Sequence, residues 1–178
     1  MMKIKVLLIF VILCLSGCAS KGKAPVQSVT PSGAGTLFIN AINFDKQAYI
    51  RDAVKKECQL PEKLLQFTQQ YAANHYAKII TGPNSVPNDA QVLTIEIKQV
   101  QGGGGGAWSG GKMVLINGKL TEKGKVIGDF KGRRYSGGGM FGGYKGTCAI
   151  LGRCVKALGR DIAEWLNNPK PQSVLGDL

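Results

Sequence analysis

Between Thr147 and Leu166 the apolar residues Cys148, Leu151, Val155, Leu158, Ile162 and Trp165 recur at steps of 3, 4, 3, 4 and 3, and no other feature constrains the fold as strongly. Those steps track the turn of an α-helix and place all six side chains on one face. A helix with so continuous an apolar stripe needs a flat apolar surface to cover it, and the preceding chain supplies one. Gln91 to Gln101 alternates Leu93, Ile95 and Ile97 with Thr94, Glu96 and Lys98, the two-residue period of a strand with one buried face. Val100 breaks the parity, which places a bulge or a strand end there. Lys112 to Glu122 and Lys125 to Tyr135 read as two further strands, with Lys123-Gly124 between them as the turn of an antiparallel hairpin.

The amino-terminal half is less regular. Thr36 to Phe44 carries apolar residues on both parities with β-branched and aromatic enrichment, as a buried strand does. Asp45 to Gln59 mixes Tyr49, Ile50 and Val54 with charges and reads as a loop holding a short helical turn. Pro61 then stands where a first helical residue would, and Leu64, Phe67, Thr68, Tyr71, Ala72, His75, Tyr76 and Ile79 follow at steps of three and four. A helix is therefore expected as far as Ile79, stopped by Gly82-Pro83-Asn84. The order β-α-β-β-β-α implies an α+β fold: a two-layer sandwich with both helices on one face of a mostly antiparallel sheet. This domain is expected over residues 36–167, with residues 168–178 as a loose tail after Asn167-Asn168-Pro169.

The first 35 residues have a different character. Lys3 and Lys5 precede ten apolar residues, Val6 to Leu15, a run too short to span a bilayer comfortably as a helix. Leu15-Ser16-Gly17-Cys18 closes the run. These residues resemble the signal peptide and lipobox of a bacterial lipoprotein. The resemblance implies removal of residues 1–17, a diacylglyceryl group on the Cys18 sulfur and an acylated amino end, hence a membrane anchor. Ala19 stands where inner-membrane lipoproteins of Gram-negative bacteria carry aspartate, so the implied address is the periplasmic face of the outer membrane. Residues 18–35 have no periodicity and read as a flexible tether. Across residues 36–167 the architecture resembles small envelope lipoproteins of uncharacterised type and, more distantly, the α/β modules of penicillin-binding-protein activator lipoproteins, the curli secretion lipoprotein and the amino-terminal domain of TolB.

An exported, lipid-anchored chain does not meet nucleic acid or a nucleotide supply, so neither is expected as a ligand. The formal charge is +12, of which Lys3 and Lys5 leave with the leader. The excess is concentrated from Lys112 to Arg160, where Glu122 and Asp129 are the only acids. Such a segment suits an anionic neighbour, whether peptidoglycan, lipopolysaccharide, lipid head groups or an acidic protein patch.

Glycine fills seven of the ten positions 102–111 and six of the ten positions 137–146. Gly106 to Lys112 copies the first seven positions of a phosphate-binding P-loop, but Met113 takes the Ser/Thr place and a strand follows where the phosphate site needs a helix. The glycines instead suit adaptable loops carrying Trp108, Arg133, Arg134, Tyr135, Phe141 and Tyr144 as a contact surface, since aromatic and arginine anchors dominate interfaces. Strands running their full length would send the two clusters from opposite ends of the sheet, and a bent third strand would bring them together.

Beyond Cys18 three cysteines remain, in an oxidising compartment where disulfides persist. Cys58 precedes the first long helix and Cys148 begins the second, so Cys58–Cys148 is the preferred pair, with Cys58–Cys154 second and Cys148–Cys154 third. A thiol enzyme would need one of these beside His75, the only histidine. No metal-ligand spacing, cofactor motif or nucleophile elbow is present. The expected function is a non-catalytic protein-binding or scaffolding module in envelope assembly or regulation. The alternative is a binder of anionic envelope glycan or lipid, and a thiol enzyme is the remote one.

Overall fold

The apolar stripe of the last helix lies against the three alternating strands in the computed structural model of the chain, which describes residues 35–82, 85–102, 111–137 and 146–178. In chain order the elements are β1 (Thr36–Ile39), β2 (Asn43–Phe44), α1 (Asp52–Glu57), α2 (Leu60–Ala72), β3 (Lys78–Thr81), β4 (Gln91–Gln101), β5 (Lys112–Glu122), β6 (Lys125–Ser136), α3 (Thr147–Leu166) and β7 (Ser173–Gly176). Six strands lie in the order β3-β1-β4-β5-β6-β7, and β2 pairs with β4 beyond the end of β1. The long strands β4, β5 and β6 form an antiparallel meander, while β1, β2, β3 and β7 join in parallel. The helices cover one face, as a two-layer α+β sandwich requires.

Alternation decides which face is buried. Leu93, Ile95 and Ile97 of β4, Val114, Ile116 and Leu120 of β5, and Phe130 of β6 meet Leu151, Val155, Leu158 and Ile162 of α3 in one core. Each such side chain, fully buried, contributes roughly 1.5–3 kcal/mol of transfer free energy. Phe130 and Trp165 add an edge-to-face ring contact with centroids 4.8 Å apart. The β4 register shifts between Ile97 and Gln99, which returns Val100 to the buried face. Lys98, the residue left over, is paired with the Asp45 carboxylate. Helices α2 and α3 cross closely at Gly159, where a Cβ would lie 2.7 Å from the Cβ of Phe67 and 3.0 Å from its carbonyl carbon.

Three local expectations are corrected. The first strand splits at Asn40, whose amide donates to the Leu93 carbonyl and whose side chain donates to Thr94 Oγ1 at 2.8 Å. The helix begun at Leu60 ends at Ala72, not Ile79, because Lys78–Thr81 pairs along its whole length with β1 and its β-branched centre suits a strand. Tyr76 is buried off the helix and donates from its hydroxyl to Gln91 Oε1 at 2.6 Å. The stretch after Asn167 is not loose either: Ser173–Gly176 extends the sheet beside β6.

Candidate functional site

The meander brings the residues that border the two glycine-rich segments to one end of the sheet. In an up-down-up path β4 leaves where β5 enters, and β6 returns to that same end. Gln101 pairs with Met113, and Lys112 pairs with Ser136. Gly102 lies beside the start of α3, since a Cβ there would be 3.2 Å from Thr147 Cγ2. The expectation of exits at opposite ends is therefore wrong: it overlooked that β5 reverses the path once and β6 reverses it again. Of the expected contact residues, Trp108, Phe141 and Tyr144 lie outside the described residues, as does Cys18.

A disulfide between Cys58 and Cys148 secures one flank of this end. It ties the α1–α2 junction to the first turn of α3, which is the preferred pairing. Beside it a shallow pocket of about 150 Å³ is lined by Arg51, Val54, Glu57, Gly102, Thr147 and the bridge itself. Arg51 reaches across and donates from Nη1 to the Gly102 carbonyl at 3.3 Å.

Arginines secure the other flank. Arg134 forms a two-pronged pair with Asp161 of α3, Nε to Oδ2 at 2.7 Å and Nη2 to Oδ1 at 2.8 Å, and its Nη1 donates to Asp177 Oδ1 at 3.0 Å. The hydrogen bond to Asp161 is the main reason the guanidinium holds its proton even more tightly than usual. Arg133 donates from Nε and Nη2 to the Asp177 carbonyl, and the Tyr135 amide donates to Asp177 Oδ2 at 2.8 Å. Both arginines are thus engaged with the chain's own carboxyl-terminal segment. Tyr135 lies over Gly111 and is 59 % exposed, and Tyr49, two residues before Arg51, is 94 % exposed.

Asp161 and Asp177 were not among the residues singled out from sequence. Asp161 had a signal, a carboxylate one position from Ile162 on a helical face that is otherwise apolar. Asp177 had none, because its partners lie more than forty residues upstream.

The remaining sequence features fall elsewhere. Lys112 opens β5 on the face toward the helices and is fully buried, followed by strand, so it does not present itself as a phosphate-loop lysine does. Cys154 is a buried free thiol whose Sγ lies 3.7 Å from the Lys112 carbonyl. Burial, and then the Asp177 charge, push its pKa up to about 11, the reverse of an activated thiol. His75 sits in the turn after α2, within 3.5 Å of Asn167 Nδ2. Among the described residues there is no cluster of three or more His, Cys, Asp or Glu able to hold a metal, and no helix long and apolar enough to cross a membrane.

No family model matches this sequence, and no curated protein does. Solved structures do share its fold. An uncharacterized protein aligns over 77 % of this chain and 95 % of its own at 14 % identity, with a TM-score of 0.53. A Xanthomonas campestris protein of the family DUF330 aligns over 78 % of this chain and 87 % of its own at 8 % identity, with a TM-score of 0.50. A dodecameric PelC from Paraburkholderia phytofirmans aligns more loosely, over 71 % of this chain and 87 % of its own at 13 % identity, with a TM-score of 0.47. At these identities the likeness to the first two is one of fold.

Proposed function

We propose that the chain is a lipid-anchored, non-catalytic binding module of the bacterial envelope, held at the periplasmic face of the outer membrane through Cys18. Its contact surface is the sheet end from which both glycine-rich segments leave. The observation that carries this reading is the convergence of Gln101, Lys112, Ser136 and Thr147 at that one end, with Tyr135 exposed beside them. Trp108, Phe141 and Tyr144 belong to chain that starts and finishes there. Site-specific photo-crosslinkers at Trp108 and Tyr144 are expected to capture a common envelope protein in cells. A crosslinker at Val126, which is 58 % exposed beside the hairpin turn at the far end of β6, is not. Equal capture from the two ends rejects the surface, and failure of Cys18→Ser to release the protein from membranes rejects the anchor.

A second reading has its own support. Lys156 and Arg160 are exposed along one stripe of α3, while Arg133 and Arg134 are committed to Asp177 and Asp161. An anionic glycan or lipid would therefore meet the α3 stripe, not the β6 arginines. Retention on lipopolysaccharide or peptidoglycan at low salt, lost on adding salt, supports it, and no retention at low salt rejects it.

A further inference from the structure

The groove beside β6 reads the segment that fills it residue by residue. Phe130, Lys131, Gly132 and Arg133 pair with Ser173, Val174, Leu175 and Gly176. Trp165 Nε1 donates to Ser173 Oγ at 3.0 Å. Gly176 has φ +81, and a Cβ there would stand 2.2 Å from the Arg133 carbonyl oxygen, so glycine alone fits. Asp177 then donates from its amide to that same carbonyl at 2.8 Å and receives the two guanidinium groups. Apolar anchoring comes from Leu175, half-buried against the core, while Val174 is 63 % exposed.

The connection from α3 to β7 carries two prolines and one residue in the left-handed region. Residues 167–172 are Asn-Asn-Pro-Lys-Pro-Gln. Pro169 and Pro171 bias Asn168 and Lys170 toward extended backbone. The closed turn is fastened to β6, the Asp129 amide donating to the Lys170 carbonyl at 3.3 Å and the Gln172 amide donating to Asp129 Oδ1 at 3.2 Å, and within it Gln172 stands at φ +53, a left-handed conformation that side chains with a Cβ disfavour.

We propose that β7 is an exchangeable strand: the groove beside β6 accepts Ser173–Asp177 from a second copy of this chain, giving a reciprocal strand-swapped dimer. Every contact described for the groove is kept, because the second copy brings the same residues. What changes is the hinge, which gives up the turn closed by Ser173 Oγ on the Lys170 carbonyl and, extended as its prolines favour, releases Gln172 from positive φ. Exchange of an identical element through a strained hinge is a low-cost route to a dimer.

Paired cysteines in the full chain test this. Lys131 and Val174 are register partners and both are exposed. The Lys131→Cys, Val174→Cys double variant is expected to form an intrachain disulfide, which verifies the register. When the two single variants are mixed at high concentration under mild oxidation, a mixed dimer joined between positions 131 and 174 is expected. Gln172→Gly, which removes the penalty on the closed turn, should lower the yield of mixed dimer roughly fivefold or more. A double variant that bridges within one chain, with single variants that never join, overturns the exchange. A double variant that fails to bridge overturns the β6–β7 register and the exchange with it.

Discussion

On one flank of the glycine-rich end α3 is tied down by a sulfur–sulfur bond, and on the other it is tied by the Arg134–Asp161–Asp177 cluster. The bond closes a loop with a sequence separation of 90 and answers to redox conditions alone. The cluster answers to charge and geometry, and its two pairs are unequal. The Asp161 side chain is 8 % exposed, whereas that of Asp177 is 41 % exposed. Burial makes the first pair costly to break, and solvent screening makes the second cheap. The covalent flank is thus built to stay shut, while the ionic flank has a firm inner part on α3 and a soft outer part on β7.

Breaking the covalent flank should cost most. Cys148→Ser is expected to lower unfolding free energy by about 4 kcal/mol in the chain-entropy view of disulfides, read as a lower urea midpoint. Reductant should reproduce the loss in the parent chain and add nothing to the variant. An unchanged midpoint after full reduction would remove the asymmetry between the flanks. Arg134→Met comes next, at about 3 kcal/mol, because it strands the Asp161 carboxylate among apolar neighbours. Adding Asp161→Leu should restore most of that loss, and a double-mutant cycle measures how much. Asp177→Asn belongs to the soft part and should cost only about 0.5–1 kcal/mol. Its clearer signature is faster hydrogen exchange at the Gly176 and Asp177 amides with the rest of the sheet unchanged.

The same contrast between local and distant causes explains what the sequence disclosed. Helix α3, the Lys123-Gly124 hairpin and the bulge before Val100 were legible because spacing within a dozen residues determines them. Strand β3 was misread because Tyr76 and Ile79 also continue the helical spacing of α2, and only pairing with β1 decides between helix and strand. Strand β7 was missed because Ser173–Gly176 has no alternation, and its place depends on Arg133 and Arg134 some forty residues away. Those arginines were picked out for their charge. Charge alone did not tell that carboxylates of the same chain would occupy them. The preferred disulfide was legible because the two helix beginnings carry the cysteines, whereas the shared exit of the glycine-rich segments follows from counting strand reversals correctly.

Cys154 offers the smallest effect and the sharpest check on the covalent flank, because it lies on α3 between Cys148 and Asp161. Its thiol in the folded chain titrates at about 11, and the Tyr76 phenol at about 12, raised chiefly by burial and then by Glu122. Both groups are neutral when protonated, and in the unfolded chain they ionise near their ordinary values of about 9 and 10. Their contribution is therefore fully present below about pH 8 and is lost as pH rises through 11 and 12, with the first few tenths of a kcal/mol gone by about pH 9. Cys154→Ala should remove the lower part of that alkaline slope and leave the part due to Tyr76. At pH 8 a thiol reagent should leave Cys154 unmodified in the native chain and label it after denaturation. Rapid native labelling would mean that this thiol opens to solvent and can attack the Cys58–Cys148 bond, making the covalent flank as exchangeable as the ionic one.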